Sequence, residues 1–86
     1  MAQLVQAIMP NPFAGHIAIG LNLPEAGTVT ARILDMSGRQ ITSNVYKAAT
    51  GYSTVTISDL DKLSKGMYLL ELRYNNEIIT HKLVKE

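Results

Sequence analysis

The groups in this chain that could carry acid–base or nucleophilic chemistry are His16, His81, the serines Ser37, Ser43, Ser53, Ser58 and Ser64, and seven Asp or Glu residues. A Ser–His–Asp arrangement needs one histidine beside one of these serines, with a carboxylate behind it. No serine sits in the glycine-flanked turn that presents a nucleophile. Asp59 and Asp61 are two residues apart and Asp35 stands alone, short of the run of oxygen ligands a calcium loop needs. Two histidines with no acidic partner nearby do not compose a zinc site. The chain has no cysteine, which removes disulfides, thiolate ligands and cysteine nucleophiles together. Gly38-Arg39 is a fragment of an anion-binding turn and reads as a hairpin glycine followed by a solvated arginine. The expectation is no catalytic residue, no metal and no cofactor.

Aromatic rings are the other candidates. Tyr46, Tyr52, Tyr68 and Tyr74 could line a sugar platform. Tyr68 and Tyr74 fall on an otherwise leucine-rich face, so they read as core. Tyr46 and Tyr52 flank a loop. An extracellular carbohydrate-binding or adhesion module is thus a rival reading. It needs exposed aromatics on one face or in a loop, with Tyr46 and Tyr52 the candidates, and burial of both rings would remove it.

Charge excludes further classes. Eight Lys or Arg oppose seven Asp or Glu, a formal net charge of +1. The cations are scattered along the chain, without the basic face or stripe of a nucleic-acid binder. With 47% hydrophobic residues the chain is too apolar for intrinsic disorder. No apolar run approaches the roughly 18 residues of a membrane helix. The first 24 residues carry no Asp, Glu, Lys or Arg, yet Gln3, Gln6, Pro10, Asn11 and Pro12 interrupt them. They lack the positive start and continuous apolar core of a signal peptide and read as mature structure. Met1-Ala2 fits an expression start. At 86 residues the whole chain, 1–86, is expected to be one domain.

The elements that would position these groups follow a period of two. Twenty residues are Val, Ile or Thr, the β-branched types that suit a pleated surface. Seven short strands are expected, at 3–9, 16–23, 28–34, 39–47, 52–58, 66–74 and 77–85. Ile17, Ile19, Leu21 and Leu23 share one face. So do Val29, Ala31 and Ile33, and so do Tyr68, Leu70, Leu72 and Tyr74. One buried and one wet face is the signature of antiparallel sheets. Pro10-Asn11-Pro12 breaks the ladder, because neither proline donates an N–H. Pro24-Glu25-Ala26-Gly27, Asp35-Met36-Ser37-Gly38 and Asn75-Asn76 carry turn chemistry. Residues 59–65 could make a single helical turn, with Asp59 as its cap and Leu60 and Leu63 facing the core. The fold class expected is all-β, an immunoglobulin-like antiparallel β-sandwich of about seven strands.

Four segments, in order, resemble a known family. They are Met9-Pro10-Asn11-Pro12-Phe13; Gly27 leading through Val29, Ala31 and Ile33 into Leu34-Asp35-Met36-Ser37-Gly38-Arg39; Leu63-Ser64-Lys65-Gly66-Met67-Tyr68-Leu69-Leu70; and Thr80-His81-Lys82-Leu83-Val84-Lys85 near the chain end. Together they resemble the C-terminal sorting domain of the type IX secretion system of Bacteroidota. The departures are Met9, where an aromatic is common, and Asp59-Leu60-Asp61-Lys62 inserted ahead of Leu63.

The resemblance implies a secretion address on a cargo protein. The cargo would be in the periplasm in transit, then at the outer membrane, on the cell surface or outside the cell. The implied partners are type IX translocon components and a sortase-like cysteine peptidase that removes the domain upstream of its fold. The new cargo end would be joined to anionic lipopolysaccharide. An uncleaved domain on a component of the secretion or attachment machinery, binding lipopolysaccharide or a partner, is the alternative within the family. Pro10, Asn11, Pro12, Gly38, Gly66 and Tyr68 match motif positions expected to preserve the fold. Lys82, Leu83, Val84 and Lys85 match the terminal segment, where receptor contact is expected. That last strand would be a sheet edge open to pairing, with Lys82 and Lys85 holding off indiscriminate partners. A homodimer could form by strand pairing, or by exchange of residues 3–9 about a hinge at Pro10-Asn11-Pro12.

Overall fold

A computed structural model describes residues 4–86. The expected start of the first strand at Gln3 lies outside the described residues. Seven strands follow in chain order: β1 (Val5–Met9), β2 (Ile17–Leu23), β3 (Gly27–Asp35), β4 (Gln40–Ala48), β5 (Gly51–Ile57), β6 (Gly66–Tyr74) and β7 (Glu77–Lys85). They form a three-stranded sheet ordered β1-β2-β5 and a four-stranded sheet ordered β4-β3-β6-β7. Every pairing between strands is antiparallel. The chain crosses between sheets after β2, β4 and β5. This is the immunoglobulin-like sandwich, with its fourth strand on the second sheet.

The period-two pattern decides which side of each strand is buried. Ile17, Ile19, Leu21 and Leu23 of β2 are at most 2% exposed and face Val29, Ala31 and Ile33 of β3 and Leu70 and Leu72 of β6 across the core. Val55 and Ile57 of β5, Leu83 of β7 and the loop residues Phe13 and Leu60 complete it. Tyr68 and Tyr74 are buried, as their leucine-rich face requires. Each keeps its hydroxyl satisfied: Tyr68 donates to the Ser64 carbonyl at 2.7 Å and Tyr74 to the Glu25 carbonyl at 2.6 Å.

The stretch 59–65 differs from expectation, since it holds no helical turn. Asp59 takes φ 62° and caps nothing. The Leu60 N–H donates instead to the Gly15 carbonyl at 2.9 Å, and the Leu63 N–H to the Leu60 carbonyl at 3.1 Å. The long-range bond to Gly15 anchors the loop, and Leu60, at 3% exposure, and Leu63 face the core as expected. Tertiary packing outweighs a weak local preference for a helical turn.

Candidate functional site: one end of the four-stranded sheet

The motif segments converge through the register of β3, β6 and β7. Asp35 pairs with Tyr68, and Tyr68 with Leu83. Gly66 pairs with Lys85, and Phe13 forms a parallel bridge to Lys85 from outside the sheet. Residues 11–13, 34–39, 64–68 and 82–86 thereby meet at one end of one sheet.

At the outer edge, the Pro10–Phe13 turn runs beside β7. Two cis peptides, Met9–Pro10 and Asn11–Pro12, shape it. The Phe13 N–H donates to the Val84 carbonyl at 2.8 Å, and the Glu86 N–H to the Phe13 carbonyl at 2.9 Å. The Val84 N–H donates to Asn11 Oδ1 at 3.0 Å, and Asn11 Nδ2 donates to the Lys82 carbonyl at 3.4 Å. The turn thus supplies what a neighbouring strand would supply. The Phe13 ring is fully buried and meets the Tyr68 ring edge-on at a centroid distance of 6.3 Å.

The hairpin beyond β3 closes around one carboxylate. Asp35 Oδ1 accepts from the Ser37 N–H at 3.0 Å, the Ser37 hydroxyl at 2.6 Å and the Arg39 N–H at 2.9 Å. The Arg39 guanidinium reaches Oδ2 at 3.3 Å. The Ser37 hydroxyl and the Arg39 amide, set against a smaller cost of burial, draw the Asp35 pKa from 3.8 to about 2. Gly38 turns the chain at φ 91°, which a side chain would resist. Gly66 opens β6 at φ 143°.

Mid-sheet, the Glu71 carboxylate takes Arg73 Nε at 3.0 Å and the Arg32 guanidinium at 2.9 Å. The hydrogen bond from Arg73, followed by that from Arg32, lowers its pKa against the opposing effect of burial.

The terminal residues divide by parity. Leu83 and Lys85 turn inward, at 0% and 8% exposure, and the Lys85 ammonium donates to the Glu86 backbone oxygen at 2.9 Å. Lys82 and Val84 face out on the other side of the sheet. So Lys85 does not guard the edge by charge. Asn11 and Phe13 cover the 82–86 stretch of that edge by hydrogen bonding, because a side-chain amide and a bridging peptide satisfy groups that a solvated lysine would only shield.

The other candidates do not assemble. His16 leads into β2 of the three-stranded sheet and His81 sits on β7 of the four-stranded one. Among the described residues no three of His, Cys, Asp and Glu gather as a metal site. Tyr52 is 80% exposed on the outside of the three-stranded sheet. Tyr46 lies half-buried against the core, its hydroxyl donating to the Thr56 carbonyl at 3.1 Å. The two rings share no face, so they make no stacking platform.

Leu34, Met67 and Leu69, which the sequence offered only as members of the resembling segments and not as site residues, lie on the outer face at this same end. The unbroken apolar run from Met67 to Leu70 was the available signal, since a half-solvated strand should alternate.

No curated protein matches the chain. The pattern of the family described as secretion system C-terminal sorting domain matches residues 7–86, which takes in every segment gathered at this end of the sheet. By that match, the chain belongs to the type IX secretion C-terminal sorting domains.

Proposed function

We propose that this chain is the export tag of a cargo protein and performs no catalysis itself. The tag is recognised by type IX translocon components while the cargo is in the periplasm. A sortase-like peptidase then cuts upstream of the fold, and the cargo is fixed to the surface through anionic lipopolysaccharide. All 86 residues act as one domain in this reading. The observation that carries it is the convergence of family segments, up to 73 residues apart in sequence, on one end of one sheet.

The test is an export assay. The chain is fused behind a periplasm-directed fluorescent reporter in a type IX-competent bacterium and compared with the reporter alone. Surface or medium fluorescence only with the fusion supports the reading. Retention of both in the periplasm overturns it. A dimer by exchange of β1, which lies at the edge of its sheet beside β2, is a further part of the proposal. A solution mass that rises with concentration tests it.

A further inference from the structure

The terminal segment is expected to touch the secretion machinery, and the structure narrows how. Its backbone edge is occupied by Asn11 and Phe13. Leu83 and Lys85 are in the core. What the segment still offers is the side chains of Lys82 and Val84 on the outer face of the four-stranded sheet.

There they join an apolar cluster. Leu34 stands beside Leu69 across β3 and β6, and Met67 beside Val84 across β6 and β7. Met67 is 45% and Val84 40% exposed, and Leu34 and Leu69 are half-buried. The outer face of a sandwich sheet is ordinarily polar, and a contiguous exposed apolar cluster marks a contact surface. Lys82 pairs in register with Leu69, and its ammonium has no acidic partner among the described residues. The carboxylates on the neighbouring strands, Asp35 and Glu71, are already held by Arg39 and by Arg32 and Arg73. The surface is therefore apolar with an unsatisfied cation at its side.

We infer that this cluster is the docking surface for a folded protein of the type IX machinery, one that presents an apolar contact with a carboxylate opposite Lys82. The inference rests on the sorting reading above and adds where and by what chemistry the tag is read: by face-to-face side-chain contact, with the 82–86 stretch of the β7 edge already covered by Asn11 and Phe13. A second copy is the weaker occupant, because the carboxylates this face could offer Lys82, Asp35 and Glu71, are already held by arginines.

The same export assay tests it, with the wild-type fusion as the reference. Failure of the wild type to leave the periplasm overturns the sorting reading itself. With the wild type exported, the double variant Met67→Glu/Val84→Glu should lower surface fluorescence by about tenfold, the scale of one lost hot-spot contact. Lys82→Glu, at an exposed position, should lower it by about threefold. Val45→Glu, elsewhere on the same sheet face at 67% exposure, should leave it unchanged. Thermal melts of the purified variants show that the chains remain folded. Export of both cluster variants within about twofold of wild type, or equal loss with Val45→Glu, overturns the docking surface. So does a wild-type solution mass that doubles with concentration and is abolished by the double variant, since the face would then be filled by a second copy.

Discussion

The side-chain amide of Asn11 accepts the Val84 N–H at 3.0 Å across 73 residues of sequence, and through its other end reaches the Lys82 carbonyl at 3.4 Å. One side chain thus does for β7 what a peptide group of an eighth strand would do. Replacing it separates the two halves of the contact. Asn11→Ala should cost about 1 kcal/mol and expose the Val84 amide to exchange. Asn11→Asp keeps the acceptor for Val84 and loses the donor to Lys82, so it should cost less. Denaturant unfolding with amide hydrogen exchange at Val84 checks the order.

Phe13 ties the same turn to the core. It is fully buried and edge-on to Tyr68. Phe13→Ala should cost about 3–5 kcal/mol, a large share of the roughly 5–15 kcal/mol that holds a domain of this class together. Thermal denaturation followed by circular dichroism should show a much lower midpoint, or no cooperative transition.

Removing residues 82–86 should unfold the chain as well as erase its terminal surface. The deletion takes Leu83, at 0% exposure, and the inward stem of Lys85 from the core. Loss of the leucine alone is worth about 2–5 kcal/mol. A cooperative melt retained by the truncated chain would contradict this, and surface substitutions are therefore the cleaner probe of recognition.

Asp35 should make part of the acid stability. Its carboxyl titrates at about 2 in the fold against 3.8 ordinarily, so folding favours the charged form. The contribution is present above 3.8 and is lost as pH falls toward about 2. Asp35→Asn should flatten the stability–pH curve in that window and leave Glu71 to carry what slope remains. Unfolding free energies measured down the acid limb, with a carboxyl NMR titration of Asp35, test both the sign and the window.

Gly38→Ala isolates backbone strain. The glycine has φ 91°, and a Cβ there would meet no atom within 4 Å. With no clash to relieve, the cost should be about 1–2 kcal/mol from the left-handed conformation alone. Equilibrium unfolding that finds no loss would mean the hairpin changes shape.

Strands, turns and the inward faces were legible in the residues because they depend on neighbours two apart or on local turn chemistry. Ile17 to Leu23 alternates whatever lies across from it, and Asn75, at φ 53°, adopts the left-handed conformation its residue type tolerates. The grip of Asp35 on Ser37 and Arg39 is local too, and an Asp two residues ahead of a Ser in a glycine turn was its signal. Which strands pair across the sheets, and hence what occupies the edge of β7, had no local signal. Asn11 finds Val84 only when β1 and β7 are brought to the same side of the sandwich. Lys85 reads as a solvated end residue until Phe13 bridges it and the alternation set by Leu83 turns it inward. The surface at Leu34, Leu69, Met67 and Val84 exists only as a product of register. A period of two states which residues share a side of one strand, while hydrogen-bonded pairing between distant strands states which of those sides become one surface.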